Sequence, residues 1–386
     1  MILRALLFLC ATAVVGAELR TWTLPDGRTL VAKISGIEDG KVLLMPDNGT
    51  TPVPVLTQAL RGTDRAAVDA WVPPGRRAPG ANADITRNPS GWPLSVALKE
   101  DPAFTVVEEN RDASRFIYRS DHFEFSSRQQ LNNKIVRVFS RLFELTYETV
   151  AALPLRLDPE PPRGYYKVVL FATTAQYIAA GGPEKSGGLY RGSTGEVMVP
   201  LPSLGVRLIN DHWIMDDPKA NQPLLHEVTH QVMGPWLTVL PVWLIEGAAE
   251  YVAAARCSVR KLTLHASLDN IFHFLRTQMG VRQRDIDLRH PQRLMVINYD
   301  KWQRDLAAGA AIKNYYSAML LFYYYAHLDG DGTGRHLIAY FQARLASRTP
   351  DDDTADRAAH LLRARTWDTL WNDLARALAA YKIKLS

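Results

Sequence analysis

The chain has little cysteine, no concentrated run of basic residues and, beyond its first residues, no long apolar stretch. Only Cys10 and Cys257 are present among 386 residues, which excludes a disulfide framework. The formal net charge of +5 is slight for this length, and Lys and Arg form no cluster, so nucleic-acid binding is not indicated. With 47% hydrophobic and 22% charged residues the chain is ordinary globular material, and its length predicts two or three domains.

The first 17 residues have the three parts of a secretory signal peptide. Met1 to Arg4 is a short positive region, Ala5 to Val15 is apolar, and Val15-Gly16-Ala17 offers a cleavage site of small residues. The alternative, an uncleaved membrane anchor, is weakened because the apolar run is shorter than the roughly twenty residues that a span needs. The sequence therefore predicts a secreted or periplasmic protein with no membrane span in its mature chain.

Residues 18–72 are typical of a small all-β module. Asp26-Gly27, Asp39-Gly40 and Asn48-Gly49 are hairpin-turn dipeptides at regular spacing, and strand-like runs lie between them over 20–24, 29–34, 41–45 and 51–55. Several short strands with tight turns predict an SH3-like barrel. Trp22 can fill the core of so small a barrel or serve as a ligand platform.

The rest of the chain divides into a linker and a larger domain. Residues 73–95 are rich in Pro and Gly with little apolar periodicity, which predicts a flexible linker. Residues 96–386 predict an α+β domain, mixed over 96–215 and helical over 216–386. Asp329 to Gly334 resembles a calcium loop, but Tyr340 occupies the position of the required Glu, so we predict a turn. Helices are predicted over 129–153, 218–233, 243–256, 268–279, 301–328, 334–347 and 354–382.

The segment from Leu225 to His230 contains an H-E-x-x-H motif. On a helix His226 and His230 are four residues apart, so both imidazoles project from one face and can bind one metal ion. Glu227 is turned about 100° from His226, too far round to be a third ligand, but it can reach a water on the metal as a general base. An ordinary amphipathic helix also fits the segment, because an apolar stripe accompanies the motif: Leu224, Leu225, Val228, Val232 and Met233.

A catalytic zinc site needs three protein ligands and one open position. Glu246 is the best candidate for the third ligand, because Gly234-Pro235 ends the first helix and a fresh apolar helix follows Pro241. The two helices can then pack against each other. Glu250 lies one turn beyond Glu246, where it can accept the ring N–H of a ligand histidine.

These residues resemble the gluzincin zinc peptidases, in particular the secreted bacterial peptidase-MA-like proteins. The shared signature is H-E-x-x-H followed by W-x-x-E-G-x-A-E-Y, met here by Trp243, Glu246, Gly247, Ala249, Glu250 and Tyr251. The resemblance implies a mostly helical zincin-like domain with a small mixed sheet. It also implies zinc ligands His226, His230 and Glu246, with Glu227 as base and Glu250 behind a ligand. Fifteen residues separate His230 from Glu246, fewer than in thermolysin-like and aminopeptidase members, so substrate preference cannot be carried over.

Two further expectations come from the same resemblance. Related enzymes place an oxyanion-stabilising tyrosine at the head of a later helix, which points to Tyr315 or Tyr316, with Tyr315 favoured; both also fit an apolar core stripe. Such enzymes bind substrate backbone along an edge strand before the metal helix, and residues 196–199 are proposed for it, with an ordinary buried strand as the alternative. Residues 20–44 in turn resemble the SH3-like homology module of yeast actin-assembly proteins, through R-x-W-T, D-G-R and D-G-x-V-x-L patterns. Such modules bind peptides or act as spacers.

The sequence thus predicts a secreted zinc metallopeptidase that cleaves peptide bonds with a water activated by Glu227, with a peptide or protein as substrate. A rival hypothesis is a latent or non-catalytic zinc protein that binds a peptide or cell-envelope component through its SH3-like module. The intact Glu227 argues against it, since a purely structural site needs no base. A zinc hydrolase of non-peptide amides would use the same chemistry.

Overall fold

The computed structural model describes residues 19–38, 41–47, 49, 51–69, 79–161, 164–184, 186–209, 212–215, 222–264, 268–281, 285–347 and 360–385. The chain divides into two compact units, the first made of Met1–Arg76 with Pro161–Tyr165 and the second of Arg77–Glu160 with Tyr166–Ser386. The predicted signal peptide and residues 216–221 at the predicted start of the metal helix lie outside the described residues. Among the described helices none is both long and apolar enough to cross a membrane.

The first unit contains a four-stranded antiparallel sheet followed by one helix. The strands β1 to β4 follow one another in the sheet, which confirms the four predicted strands. Over the described residues the sheet is open, with β1 and β4 as separate edges, so the predicted SH3-like barrel is wrong. The helix was not predicted. The elements are β1 (Arg20–Thr23), β2 (Thr29–Glu38), β3 (Lys41–Pro46), β4 (Val53–Leu56) and α1 (Gly62–Asp69).

Trp22 fills the core of this first unit. Its side chain is fully buried, and its indole nitrogen donates to the carbonyl oxygen of Ala32 at 2.9 Å. The core role is therefore confirmed over the ligand platform. Asp64 on α1 accepts from the side chain of Arg20 at 2.7 Å and from the backbone N–H of Thr23 at 2.8 Å. These two bonds fix α1 to β1.

The second unit is α+β, as predicted. Its strands are β5 (Ala83–Arg87), β6 (Pro93–Leu98), β7 (Thr105–Asn110), β8 (Arg115–Arg119), β9 (Phe123–Ser127), β10 (Tyr166–Phe171), β11 (Leu189–Arg191), β12 (Glu196–Pro200), β13 (Val206–Ile209), β14 (His212–Met215), β15 (Arg256–Ser258), β16 (Lys261–Thr263), β17 (Asp285–Ile286) and β18 (Lys384–Leu385). Its helices are α2 (Asn133–Ala152), α3 (Thr174–Ala179), α4 (Gln222–Val232), α5 (Val242–Ala253), α6 (Leu268–Gln278), α7 (Pro291–Met295), α8 (Tyr299–Ala307), α9 (Ala311–His327), α10 (Arg335–Ser347) and α11 (Trp367–Ala379).

The main sheet of this unit has six strands in the order β11-β12-β10-β9-β8-β7. The strands β9, β10 and β12 are parallel, and β11 runs antiparallel to β12 at one edge. The strand predicted over residues 196–199 is therefore correct, but its edge position is wrong. It lies inside the sheet, because the short strand β11 covers it and forms the edge instead.

Two further sequence predictions, a linker and one long helix, are wrong in part. The predicted linker 73–95 is wrong over residues 83–95, where β5 and β6 pair as a hairpin and β6 also pairs with β16. Residues 70–78 lie outside the described residues. The single helix predicted over 301–328 is two helices, α8 and α9. Between them Gly309 has a φ of +72°, a left-handed conformation that ends α8.

The turn predicted at residues 329–334 is confirmed. The carboxylate of Asp329 is buried and accepts from the guanidinium of Arg365 at 2.8 Å. This carboxylate therefore serves a structural ion pair between the turn and the approach to α11.

Candidate metal centre

The helix α4 carries the H-E-x-x-H motif and is held against the main sheet. The apolar stripe beside the motif is fully buried. The predicted core face and the predicted metal-binding face are therefore two different faces of one helix. Gln231 fixes the helix to the sheet, because its amide nitrogen donates to the carbonyl oxygens of Lys167 at 2.7 Å and Gly195 at 2.9 Å. These bonds set the rotation of α4, and with it the direction of the histidines.

His226 and His230 converge on one point together with Glu246 of α5. The two Nε2 atoms are 2.9 Å apart, and Oε2 of Glu246 lies 3.3 Å from each of them. Ligands about 2.0–2.1 Å from a tetrahedral zinc ion would be separated by roughly 3.3 Å. The spacing therefore fits one small tetrahedral ion. Among the described residues no other group of three or more His, Cys, Asp or Glu side chains is close enough to share an ion.

The two Nε2 atoms are within hydrogen-bonding distance of each other, but the oxygen of Glu246 is not satisfied within the group. Oε2 of Glu246 is buried with no partner in hydrogen-bonding geometry among the described residues, although both Nε2 atoms are near. Burial would raise the pKa of Glu246, but His230 and His226 lower it to about 2, so the carboxylate is charged. A buried anionic oxygen facing two imidazole nitrogens is the donor set of a zinc site, and the residues present fit this ion.

Glu250 lies behind the cluster, on the side of His226 remote from Glu246. Its Oε1 is 3.2 Å from Nδ1 of His226. This is an ion-pair contact and not a directed hydrogen bond, since Nδ1 has no acceptor in hydrogen-bonding geometry. Burial would lower the pKa of His226, but Glu250 and then Glu246 raise it well above its usual value. The position matches the supporting role that the sequence predicts for Glu250.

Glu227 is not one of the three converging groups, and its carboxylate is bound to the strand at the edge of the main sheet. Its Oε2 accepts a hydrogen bond of 2.6 Å from the backbone N–H of Tyr190 on β11. Gly188 lies beside this carboxylate, where a Cβ atom would be in ordinary van der Waals contact with Cγ of Glu227 at 3.4 Å. A carboxylate that directly follows a ligand histidine and stays outside the ligand set is placed to accept a proton. Tyr190 was not predicted as part of the site, because its bond to Glu227 uses a backbone N–H that no side-chain motif marks.

The structure separates the two candidate tyrosines. The ring of Tyr315 is 6.1 Å from the ring of His226, and burial, followed by the charge of Glu246, raises its pKa above the usual range. The hydroxyl of Tyr316 instead donates to the backbone oxygen of Asp287 at 2.8 Å. Tyr315 is brought to the site and Tyr316 is not.

The remaining residues of the downstream signature hold α5 against α9. A Cβ atom at Gly247 would lie 2.6 Å from the backbone oxygen of Ala318, so only glycine allows this close helix contact. The hydroxyl of Tyr251 is 3.1 Å from Nε2 of His327 at the end of α9. Because Glu246 is on α5 and Tyr315 on α9, this packing fixes the two functional side chains relative to each other.

The two imidazoles thus converge with the carboxylate of Glu246, while Glu250 lies behind His226 and the phenol of Tyr315 lies beside it. This arrangement can bind a small divalent cation, keep a separate carboxylate free as a base and offer a phenol as a hydrogen-bond donor. No protein-family model matches the chain, and neither does any curated protein.

Proposed function

We propose that this protein is a secreted zinc metallopeptidase, in which His226, His230 and Glu246 hold the ion. The observation that carries the proposal is the convergence of three ligand atoms, 2.9 to 3.3 Å apart, while the carboxylate of the adjacent Glu227 stays outside the ligand set. A purely structural zinc site has four protein ligands, whereas three ligands and a free base are the arrangement of a hydrolase. Zinc, when bound, would polarise the scissile carbonyl and make water a stronger nucleophile at neutral pH.

The chain's own groups supply the proton transfers. Glu227 takes a proton from the attacking water and delivers it to the leaving amine, since it directly follows the ligand His226 on α4 and its carboxylate is fixed by the N–H of Tyr190. The phenol of Tyr315 donates a hydrogen bond to the oxyanion that forms at the carbonyl. Glu250 keeps His226 oriented as a ligand.

The edge strand β11 accounts for a peptide as substrate. An extended peptide can add a strand to an exposed sheet edge by backbone hydrogen bonds. Because Tyr190 of β11 is bonded to Glu227, a peptide paired along this edge would place its backbone beside the base. This replaces residues 196–199 as the proposed substrate strand.

The test is digestion of a mixed peptide library by residues 18–386, the chain that remains after the predicted cleavage. Replacing the base should lower turnover by at least about 100-fold, so cuts should be made by the wild type and lost in Glu227→Gln. They should also be lost on chelation and restored by zinc. Glu108→Gln, on β7 at the opposite edge of the sheet, is the control and should cut normally. Cuts that persist unchanged in Glu227→Gln would contradict the proposal.

A further inference from the structure

Trp302 is a large buried side chain of α8 that contacts Tyr315. It is 1% exposed, and its ring meets the ring of Tyr315 edge-on, with centroids 5.3 Å apart and an interplanar angle of 87°. Its indole nitrogen is buried and has no acceptor in hydrogen-bonding geometry among the described residues. An indole N–H can only donate, and a buried donor without an acceptor is costly. The buried indole N–H of Trp302 therefore needs an acceptor from the groups around it.

The phenol oxygen of Tyr315 is an acceptor on the ring that Trp302 contacts. Burial raises the pKa of Tyr315, and Trp302 acts in the opposite direction, as a donor directed toward the phenol oxygen does. Hydrogen bonds of catalytic groups are often long or poorly aligned in the absence of substrate and shorten in the complex. The missing alignment in the structure is consistent with such a contact.

The position of Trp302 is fixed by a polar network one turn further along α8. Asp305 is 7% exposed and accepts from the side-chain amide of Asn314 at 3.0 Å and from Arg289 at 3.3 Å. Asn314 directly precedes Tyr315 on α9. The network therefore fixes α8 relative to the first turn of α9, and with it the indole relative to the phenol.

We propose that Trp302 is a positioning residue, whose indole N–H donates to the phenol oxygen of Tyr315 and so directs the phenol proton toward the metal cluster. A phenol oxygen that accepts one hydrogen bond turns its own O–H away from that donor. The proton of Tyr315 then points to where the oxyanion forms. This inference rests on the proposed hydrolytic function for its catalytic consequence, but the hydrogen bond itself can be tested without turnover.

The first experiment observes the indole N–H directly by two-dimensional ¹H–¹⁵N NMR of the full mature chain. The nine tryptophans give nine indole signals, and the signal lost in Trp302→Phe belongs to Trp302. Tyr315→Phe keeps the ring and removes the acceptor, so this signal should move upfield by several line widths. Tyr316→Phe is the matched control and should leave it in place. A signal that Tyr315→Phe does not move would overturn the proposal, whether or not the protein cleaves peptides.

The second experiment separates positioning from packing by kinetics. Trp302→Phe keeps an aromatic ring in the core and should lower kcat about tenfold with KM unchanged, the loss of one hydrogen bond. In the Tyr315→Phe background the same substitution should cause no further loss, since the residue acts through the phenol. An equal loss in both backgrounds would show a merely structural role and overturn the proposal. If the wild type cleaves nothing, the proposed function fails while the NMR result still decides the role of Trp302.

Discussion

Gly247→Ala tests whether the contact between α5 and α9 sets the geometry of the metal cluster. The new methyl group would lie 2.6 Å from the backbone oxygen of Ala318 and 3.1 Å from Cβ of Phe322. The nearest atom belongs to a helix backbone, so it cannot rotate away as a long side chain would. The helices must separate by several tenths of an ångström, and Glu246, the preceding residue, moves with α5.

Two opposing effects decide the sign of the stability change. Alanine is favoured over glycine inside a helix by about 1 kcal/mol, which alone would stabilise the protein. Forcing a methyl group into a well-packed contact costs about 1–3 kcal/mol, and a backbone neighbour at 2.6 Å places this site toward the upper end. We therefore expect a net destabilisation of about 1–2 kcal/mol, or a melting temperature about 2–8 °C lower.

The assay is calorimetric unfolding with and without zinc, followed on the transition that zinc stabilises. Gly192→Ala is the matched control, since the nearest atom to its new Cβ is Cε1 of Tyr190 at 3.9 Å. This variant should stay within about 0.5 kcal/mol of the wild type. A Gly247→Ala protein that is more stable than the wild type and binds zinc equally well would refute the reasoning, because the helix contact would then not be tight.

Three further expectations follow from the site and its surroundings. Glu246→Gln replaces a charged ligand oxygen and should weaken zinc binding, measured by chelator competition, by at least about tenfold; unchanged affinity would mean that another group is the third ligand. Tyr315→Phe should lower kcat by about 10²–10³-fold with zinc retained, whereas Tyr316→Phe should not, and equal losses would contradict the assignment. Burial lowers the pKa of His327 from 6.5 to about 4. As the pH falls, the unfolded chain therefore binds the proton before the folded chain does. The stability that this residue contributes above pH 6.5 is lost as the pH falls toward 4. The loss is at most about 3 kcal/mol. In urea unfolding at pH 6.5 and 4.5, His327→Gln should lose less stability than the wild type, and equal losses would count against this origin.

The convergence of His226, His230 and Glu246 could be predicted from the sequence because its determinants are local. Spacing of four along a helix places His226 and His230 on one face, and Pro241 marks the start of the helix that carries Glu246. The strands of the first unit could also be predicted, since turn dipeptides separate them. Whether those strands close into a barrel could not be predicted, because closure depends on pairing between strands distant in the chain.

What the sequence could not show are contacts between segments far apart and contacts made by the backbone. The edge position of β11 depends on strand order, which no local pattern encodes. The hairpin of β5 and β6 could not be distinguished from a linker in the sequence. Its partner strand β16 follows more than 160 residues later, so no nearby segment indicates that it belongs to a sheet. The bond from Tyr190 to Glu227 uses a backbone N–H, which every residue but proline carries, so no side-chain motif marks it.

The proposed metal centre of His226, His230 and Glu246 is tested most directly by the zinc content of the protein. The mature chain and a His226→Ala/His230→Ala double variant would be dialysed against the same low concentration of free zinc and analysed for metal, with circular dichroism as the check on folding. The wild type should retain one zinc ion per chain, and the folded double variant should retain none. Equal zinc in both proteins, or none in the wild type, would contradict the account.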